Sequence, residues 1–111
     1  MDEMINQSIH INELIKKSPE YEWYIRASKK LHEHVDLYNQ LKEYRRRNYE
    51  LQNLAGMNPY DEVVALVREY DVLLHNSYVS DFLKAEEHIC SILKTVYNQI
   101  AEGLEFDYLD E

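Results

Sequence analysis

Five histidines are the side chains of this 111-residue sequence that first suggest a metal site. Metal ligands on a helix stand three or four residues apart, because only such side chains share a face. His32 and His34 are two residues apart, and the sequence contains no His-Glu-x-x-His or Glu-x-x-His pair. The pairs with one-turn spacing, His32 with Asp36 and Asp71 with His75, are typical of surface hydrogen bonds. We therefore expect no metal ligands and no cofactor.

Neither the single thiol nor the carboxylates form a pattern typical of catalysis. Cys90 stands beside an apolar stripe, where a lone cysteine usually behaves as a small buried apolar side chain. Acid–base catalysis needs carboxylates held in a pocket, and with 21 acidic residues almost any helical arrangement brings some of them together. Glu86 is the acid at a predicted core position, where an ion pair with an Arg or Lys of another helix is favoured. The sequence thus predicts no catalytic residue and no enzyme.

The basic run Arg45-Arg46-Arg47 is the strongest local charge signal. Three successive helix residues fan across about 200°, so the run does not form one patch. Glu43 and Glu50 lie within helix-surface reach of Arg47 and Arg46, respectively. The candidates for contact with a partner are the residues of this segment, namely Lys42, Arg45, Arg46, Arg47 and Tyr49.

Composition sets limits on the class of protein. Twelve basic against 21 acidic residues give a net charge of −9, which disfavours nucleic acid as the main partner. The alternative that stays open is an RNA-binding accessory role for the basic segment from Lys29 to Arg47. No run approaches the roughly 20 apolar residues of a membrane span, and the first ten residues lack a secretory signal pattern. We expect a cytoplasmic protein with no membrane contact.

Helix boundaries are marked by a few residues. With two Gly and two Pro, the chain has too few turn residues for an all-β fold. Predicted helix starts are Ser18-Pro19, Asn58-Pro59 and Asn76-Ser77, and predicted stops are Gly56 and Gly103.

Apolar spacing between these signals predicts an all-α fold. A first short helix is expected at about residues 2–17. The segment 19–54 forms either one long helix or two, and a break near His34, where helix propensity is weakest, is favoured. We predict an antiparallel helical bundle of four to five helices that self-associates, with one domain over 1–103 and an acidic tail over 104–111.

The length of the last predicted helix indicates that the protein self-associates. From Ser77 to Ala101 this helix would be roughly 37 Å long, which is more than a compact domain of this size can cover. A second copy is the simplest cover, which makes a homodimer the expected state, with a tetramer as the alternative. The predicted oligomer interface is the apolar seam of this helix, namely Phe82, Ile89, Leu93, Val96 and Ile100.

The order of these segments resembles the YlbF/YmcA family of small bacterial regulators. The resemblance covers about residues 5–103 and rests on Ser18-Pro19-Glu20-Tyr21, the stretch from Asn76 to Glu86, and the apolar run Ile89 to Ile100. It implies a self-associating helical bundle. Members of known role act in Gram-positive bacteria as non-enzymatic factors for competence, sporulation and biofilm formation, within a complex that modulates ribonuclease-dependent mRNA processing.

The resemblance therefore implies a regulatory adaptor whose partners are itself and other regulatory proteins. Some members carry a cysteine-rich C-terminal tail implicated in iron–sulfur clusters. This sequence ends in Glu105-Phe106-Asp107-Tyr108-Leu109-Asp110-Glu111 without a cysteine. No cluster is expected from it.

Overall fold

The structure, a computed structural model, describes residues 1–54 and 58–105. These residues form six α-helices, where the sequence predicted four to five: α1 (Asp2–Lys16), α2 (Pro19–Glu33), α3 (Val35–Gln52), α4 (Tyr60–Glu69), α5 (Asp71–Leu74) and α6 (Ser77–Ala101). The all-α prediction is confirmed.

The predicted helix signals act as expected at most boundaries. Ser18 caps α2 by accepting a hydrogen bond from the Tyr21 amide at 3.2 Å, with Pro19 as the first helical residue. Asn76 caps α6 through two backbone amides, and Gly103 adopts a left-handed φ of 79° just past its end. Asn58 also accepts an amide hydrogen bond, but α4 begins one residue later than its Pro59 predicts. Gly56 lies outside the described residues.

The break predicted near His34 is confirmed. His34 leaves the helical region with φ −103° and ψ 77°, and it separates α2 from α3. Its ring stacks on Tyr78 of α6 at 4.1 Å between centroids. The turn at His34 therefore changes the direction of the chain between α2 and α3, while the His34 side chain stays packed against α6.

The additional helix arises from a kink at Tyr70. This residue, with φ −100° and ψ 19°, ends α4 and is followed by the single turn α5. Its ring packs against Tyr44 of α3 at 5.3 Å. No Gly or Pro marks the position, which is why apolar spacing alone predicted one continuous helix here.

The core lies mainly between α2 and α6, which run antiparallel. Trp23, near the start of α2, packs against His88 at 5.1 Å, whereas His34, just past its end, reaches Tyr78. Tyr24 and Phe82 meet between these two contacts at 5.6 Å. Fully buried side chains at the centre of this layer are Leu31 and Val79.

The chain is extended and flat. Its radius of gyration is 18.2 Å, with extents of 49 × 39 × 16 Å, whereas a compact chain of this length has a radius of about 13 Å. Several apolar faces consequently have no cover from their own chain. Cys90 is exposed, which corrects the prediction that it is buried.

Candidate interaction surface

The apolar seam of α6 divides into a covered and an uncovered part. Phe82 and Ile89 are each 6% exposed, because α2 packs over this half of the helix. Leu93 is 49% and Ile100 62% exposed, and Val96 is half-buried. Of the five predicted interface residues, the structure thus places two in the chain's own core and leaves three open to another molecule.

Glu86 interrupts this seam and is paired, as the sequence predicted. Its carboxylate accepts a hydrogen bond from Arg45 of α3 at 2.5 Å. The same guanidinium lies over the Phe82 ring at 5.5 Å. Arg45 therefore ties α3 to α6 and covers the edge of the core.

Arg46 and Arg47 are engaged with carboxylates in different places. Arg46 donates to Glu43 and to Glu50, the latter at 2.7 Å, along the outer surface of α3. Arg47 turns to α4 instead, where it donates to Glu69 and to the Tyr70 hydroxyl. The predicted pairing of Glu43 with Arg47 is therefore replaced by pairing with Arg46, because α4 provides a partner for Arg47.

These contacts stabilise the charged forms. The hydrogen bond from Arg46 lowers the pKa of the Glu43 carboxyl, and Glu43 and Glu50 in turn raise the pKa of Arg46. The pKa of Arg47 is raised by its hydrogen bonds to Glu69 and Tyr70. All three groups are solvent-facing, so these ion pairs orient side chains more than they stabilise the fold.

The remaining partner candidates face solvent. Tyr49 is 69% exposed, and the Lys42 ammonium lies 5.3 Å from the centre of the Tyr38 ring. Both lie on the same side of α3 as Arg45 and Arg46 by helical spacing, whereas Arg47 lies on the other side. The structure therefore brings four of the five candidates onto one face.

His32 and His75 are held by residues close to them in the chain. His75 contacts Asp71 as expected: its Nδ1 donates to the Asp71 carbonyl oxygen at 2.9 Å and lies 3.3 Å from the carboxylate. His32 does not pair with Asp36: its Nδ1 donates to the Ser28 carbonyl oxygen at 2.7 Å, and its ring packs on Tyr38. Within residues 1–54 and 58–105, no three His, Cys, Asp or Glu side chains converge as metal ligands would.

A cleft between α1 and the C-terminal half of α6 was not anticipated from the sequence. It has a volume of about 510 Å³ and is lined mostly by apolar side chains, including Ile11, Leu14, Ile15, Ile92 and Val96. The sequence signal was present, since Ile11, Leu14 and Ile15 share one face of α1. The apolar residues of α1 are too irregularly spaced for the sequence alone to predict that this helix lines a binding surface.

Comparison with known families identifies the chain. A family model described as control of competence regulator ComK, YlbF/YmcA, matches residues 4–105. The chain belongs to the YlbF/YmcA family. This confirms the resemblance, and it makes the chain a member of a regulatory family. Comparison with curated proteins and with solved structures found no significant match.

The family match spans both the covered and the uncovered part of α6, together with all but the first two residues of α1. Helices of a length and hydropathy suited to crossing a bilayer are absent from the part of this YlbF/YmcA member that the structure describes.

Proposed function

We propose that this YlbF/YmcA family member is a non-enzymatic regulatory adaptor that self-associates through the C-terminal half of α6. The observation that carries the proposal is the continuity of the α6 seam, which passes from a buried half to a half that its own chain leaves open. A contiguous apolar stripe that its own chain leaves exposed is typical of a surface that binds another molecule. The family description supplies the biological context, which is control of ComK.

In this proposal the adaptor acts within a complex of regulatory proteins that modulates mRNA processing, and thereby competence, sporulation and biofilm formation. The face of α3 that carries Lys42, Arg45, Arg46 and Tyr49 is the surface offered to those proteins. An exposed tyrosine beside arginines is typical of interface hot spots. Because Arg45 and Arg46 are already oriented by carboxylates, a protein partner with its own mixed charges suits this face.

RNA binding by the segment from Lys29 to Arg47 is less well supported. All three arginines of the run donate to carboxylates of their own chain, so each phosphate contact would displace an ion pair. RNA binding that weakens steeply with salt and is lost on joint Arg45→Ala, Arg46→Ala and Arg47→Ala substitution would contradict the adaptor proposal.

Self-association is tested by light scattering over a dilution series. We expect a dimer for the wild type and a folded monomer for Leu93→Glu, because the new carboxylate would be buried without a partner. Val72→Glu is the matched control: Val72 is 86% exposed on α5, which precedes the end of α6 opposite Leu93, and its substitution should leave the dimer intact. A wild type that stays monomeric at every concentration would overturn self-association.

The regulatory role is tested in a bacterium that lacks its chromosomal copy and carries a reporter behind a ComK-activated promoter. Wild type and Val72→Glu should restore reporter activity, and Leu93→Glu should not. Transcript ends mapped in the same strains test the mRNA-processing step. Full complementation by a monomeric Leu93→Glu protein would show that self-association is not needed for regulation.

A further inference from the structure

The cleft between α1 and α6 is open because the two helices diverge. No Cα atom of α1 lies within 8 Å of one in α6, and yet their side chains face a common space of about 510 Å³. The lining contains no charged residue: its polar members are Ser18, Thr95 and Gln99. Helices that pack directly have axes 8–10 Å apart, so α1 and α6 do not pack on each other, and their apolar lining is free to receive the apolar face of a further helix.

α1 has little contact with its own chain. None of its 15 residues is buried. Ile11 and Ile15 line the cleft, whereas Ile5 and Ile9 are 51% and 52% exposed. Since each residue advances about 100° around a helix, Ile5 and Ile9 lie on a different side from Ile11 and Ile15. A helix with apolar side chains on two faces needs a neighbour on each.

The solvent-accessible area of the chain indicates how much surface a binding partner would bury. The chain exposes 9014 Å² of accessible surface, whereas a compact monomer of this mass exposes about 6,500 Å². A standard interface covers about 800 Å² on each partner. The accessible area in excess of that of a compact monomer is therefore larger than the area that a stable dimer buries on each chain. This favours a folded protein surface over a short peptide as the binding partner.

The charges of α1 favour a second α1 in particular. Asp2 and Glu3 stand in its first turn, and at its other end Lys16 and Lys17 outweigh Glu13. Two antiparallel α1 helices would place the acidic start of each beside the basic end of the other. An isologous pairing about a two-fold axis has this self-complementarity.

We infer that the cleft is filled by α1 of a second copy of this chain, which inserts its Ile5 and Ile9 face between α1 and α6 of the first. By symmetry the first copy does the same. Two α1 helices and the C-terminal halves of two α6 helices then form a four-helix bundle across the two-fold axis. The inference rests on the self-association proposed above and assigns it a second element, α1.

Disulfide trapping between two differently tagged chains tests the arrangement. One chain carries Ile9→Cys and the other Thr95→Cys, both in a Cys90→Ser background, so that each has a single thiol. Mild oxidation of the mixed dimers should give a disulfide that joins the two tags. A pair with Val72→Cys in place of Ile9→Cys is the control and should give none. Absence of the Ile9–Thr95 disulfide from a proven dimer would overturn the inference.

Ile9→Glu provides an independent measurement. Because no residue of α1 is buried, the variant should keep its helical content, while the dimer dissociation constant should rise on the order of 100-fold or more. Val72→Glu should stay within about two-fold of the wild type. A dimer that Leu93→Glu disrupts and Ile9→Glu does not would retain the proposed self-association and refute the role of α1.

Removal of residues 106–111 addresses the other occupant that the chain could supply, its own C-terminal end. The dimer constant should not change on this deletion. A deletion that tightens the dimer more than about ten-fold, in a chain that gives no Ile9–Thr95 disulfide, would show that this end competes for the cleft and would overturn the inference.

Discussion

The two halves of α6 carry the same apolar spacing and differ in what covers them. In the first half Val79, Phe82, Ala85 and Ile89 are buried, mainly against α2. In the second half the stripe continues through Leu93 and Ile100, which are 49% and 62% exposed. The difference follows from the chain path: α2 begins at Pro19, beside the middle of α6, and α1 diverges from there instead of continuing along it.

The comparison shows that apolar spacing determines which face of a helix is hydrophobic, but not whether that face is covered by the same chain or by another molecule. Burial in the first half is intramolecular and contributes to folding at any protein concentration. The second half can be buried only by another molecule, so under the proposed self-association its contribution to stability would depend on protein concentration. The two halves should therefore respond differently to the same substitution.

Ile89→Ala and Ile100→Ala make this comparison with one residue type on one stripe. Ile89→Ala should lower the free energy of unfolding by about 2–5 kcal/mol, because it leaves a cavity in a packed core. Ile100→Ala, measured where the chain is monomeric, should cost less than about 0.5 kcal/mol. Urea denaturation followed by circular dichroism gives both values, and Ile89→Val with Ile100→Val repeats the test if the alanine variant does not fold.

Concentration separates the two effects further. The cost of Ile89→Ala should be the same in dilute and concentrated samples, whereas that of Ile100→Ala should grow with concentration as wild-type dimer forms. Equal costs for the two substitutions in a dilute monomer would contradict the division of α6 into a covered and an uncovered half.

The two ends of α6 offer a second comparison. Asn76 accepts hydrogen bonds from the Tyr78 and Val79 amides at 2.9 and 3.3 Å, so Asn76→Ala should cost about 1 kcal/mol of global stability. Gly103→Ala introduces a left-handed alanine, but that end of the helix is unpacked and can fray locally. Its global cost should be only a few tenths of a kcal/mol. Thermal unfolding of both variants tests this, and an equal loss at both ends would show that the second half is as firmly packed as the first.

Most of the fold could be predicted from residues whose local chemistry is decisive. Ser18, Asn76 and Gly103 cap helices through backbone geometry that depends on few neighbours. The break at His34 followed from weak helix propensity. The kink at Tyr70 could not be predicted, because it is imposed by packing of its ring on Tyr44, which is a tertiary contact.

The candidate surface was predicted less completely for the same reason. The apolar seam of α6 could be predicted from the three- and four-residue spacing of its apolar side chains. The point at which burial ends, after Ile89, depends on where α2 begins to pack over the helix. The assignment of Arg47 to Glu69 required the position of α4. The role proposed for α1 depends on its divergence from α6, which nothing in the spacing of Ile11, Leu14 and Ile15 indicates.

The ion pair between Arg45 and Glu86 places a charge on the apolar seam in the covered half of α6, and its contribution to stability can be measured. Side chains of Arg45 and Glu86 are 43% and 30% exposed, so the pair should contribute about 0.2–1 kcal/mol of coupling. A double-mutant cycle with Arg45→Ala and Glu86→Ala measures that coupling in the monomer. A coupling of several kcal/mol would show that Glu86 is desolvated as a core residue, and a value of zero would show that Arg45 acts only by covering Phe82.

The smallest effect is expected on the outer surface of α3, away from both halves of α6. The hydrogen bond from Arg46 holds the pKa of Glu43 below its ordinary 4.5. A lowered pKa in the folded state means that this pair stabilises the fold above about pH 4.5 and that its contribution is lost as the pH falls through the folded-state value. NMR titration should therefore show the Glu43 pKa returning toward 4.5 in Arg46→Gln and staying low in Lys42→Gln, which removes a nearby cation that does not contact Glu43. A Glu43 pKa near 4.5 already in the wild type would show that solvent screens the pair completely, and a low pKa retained in Arg46→Gln would show that a group other than Arg46 lowers it.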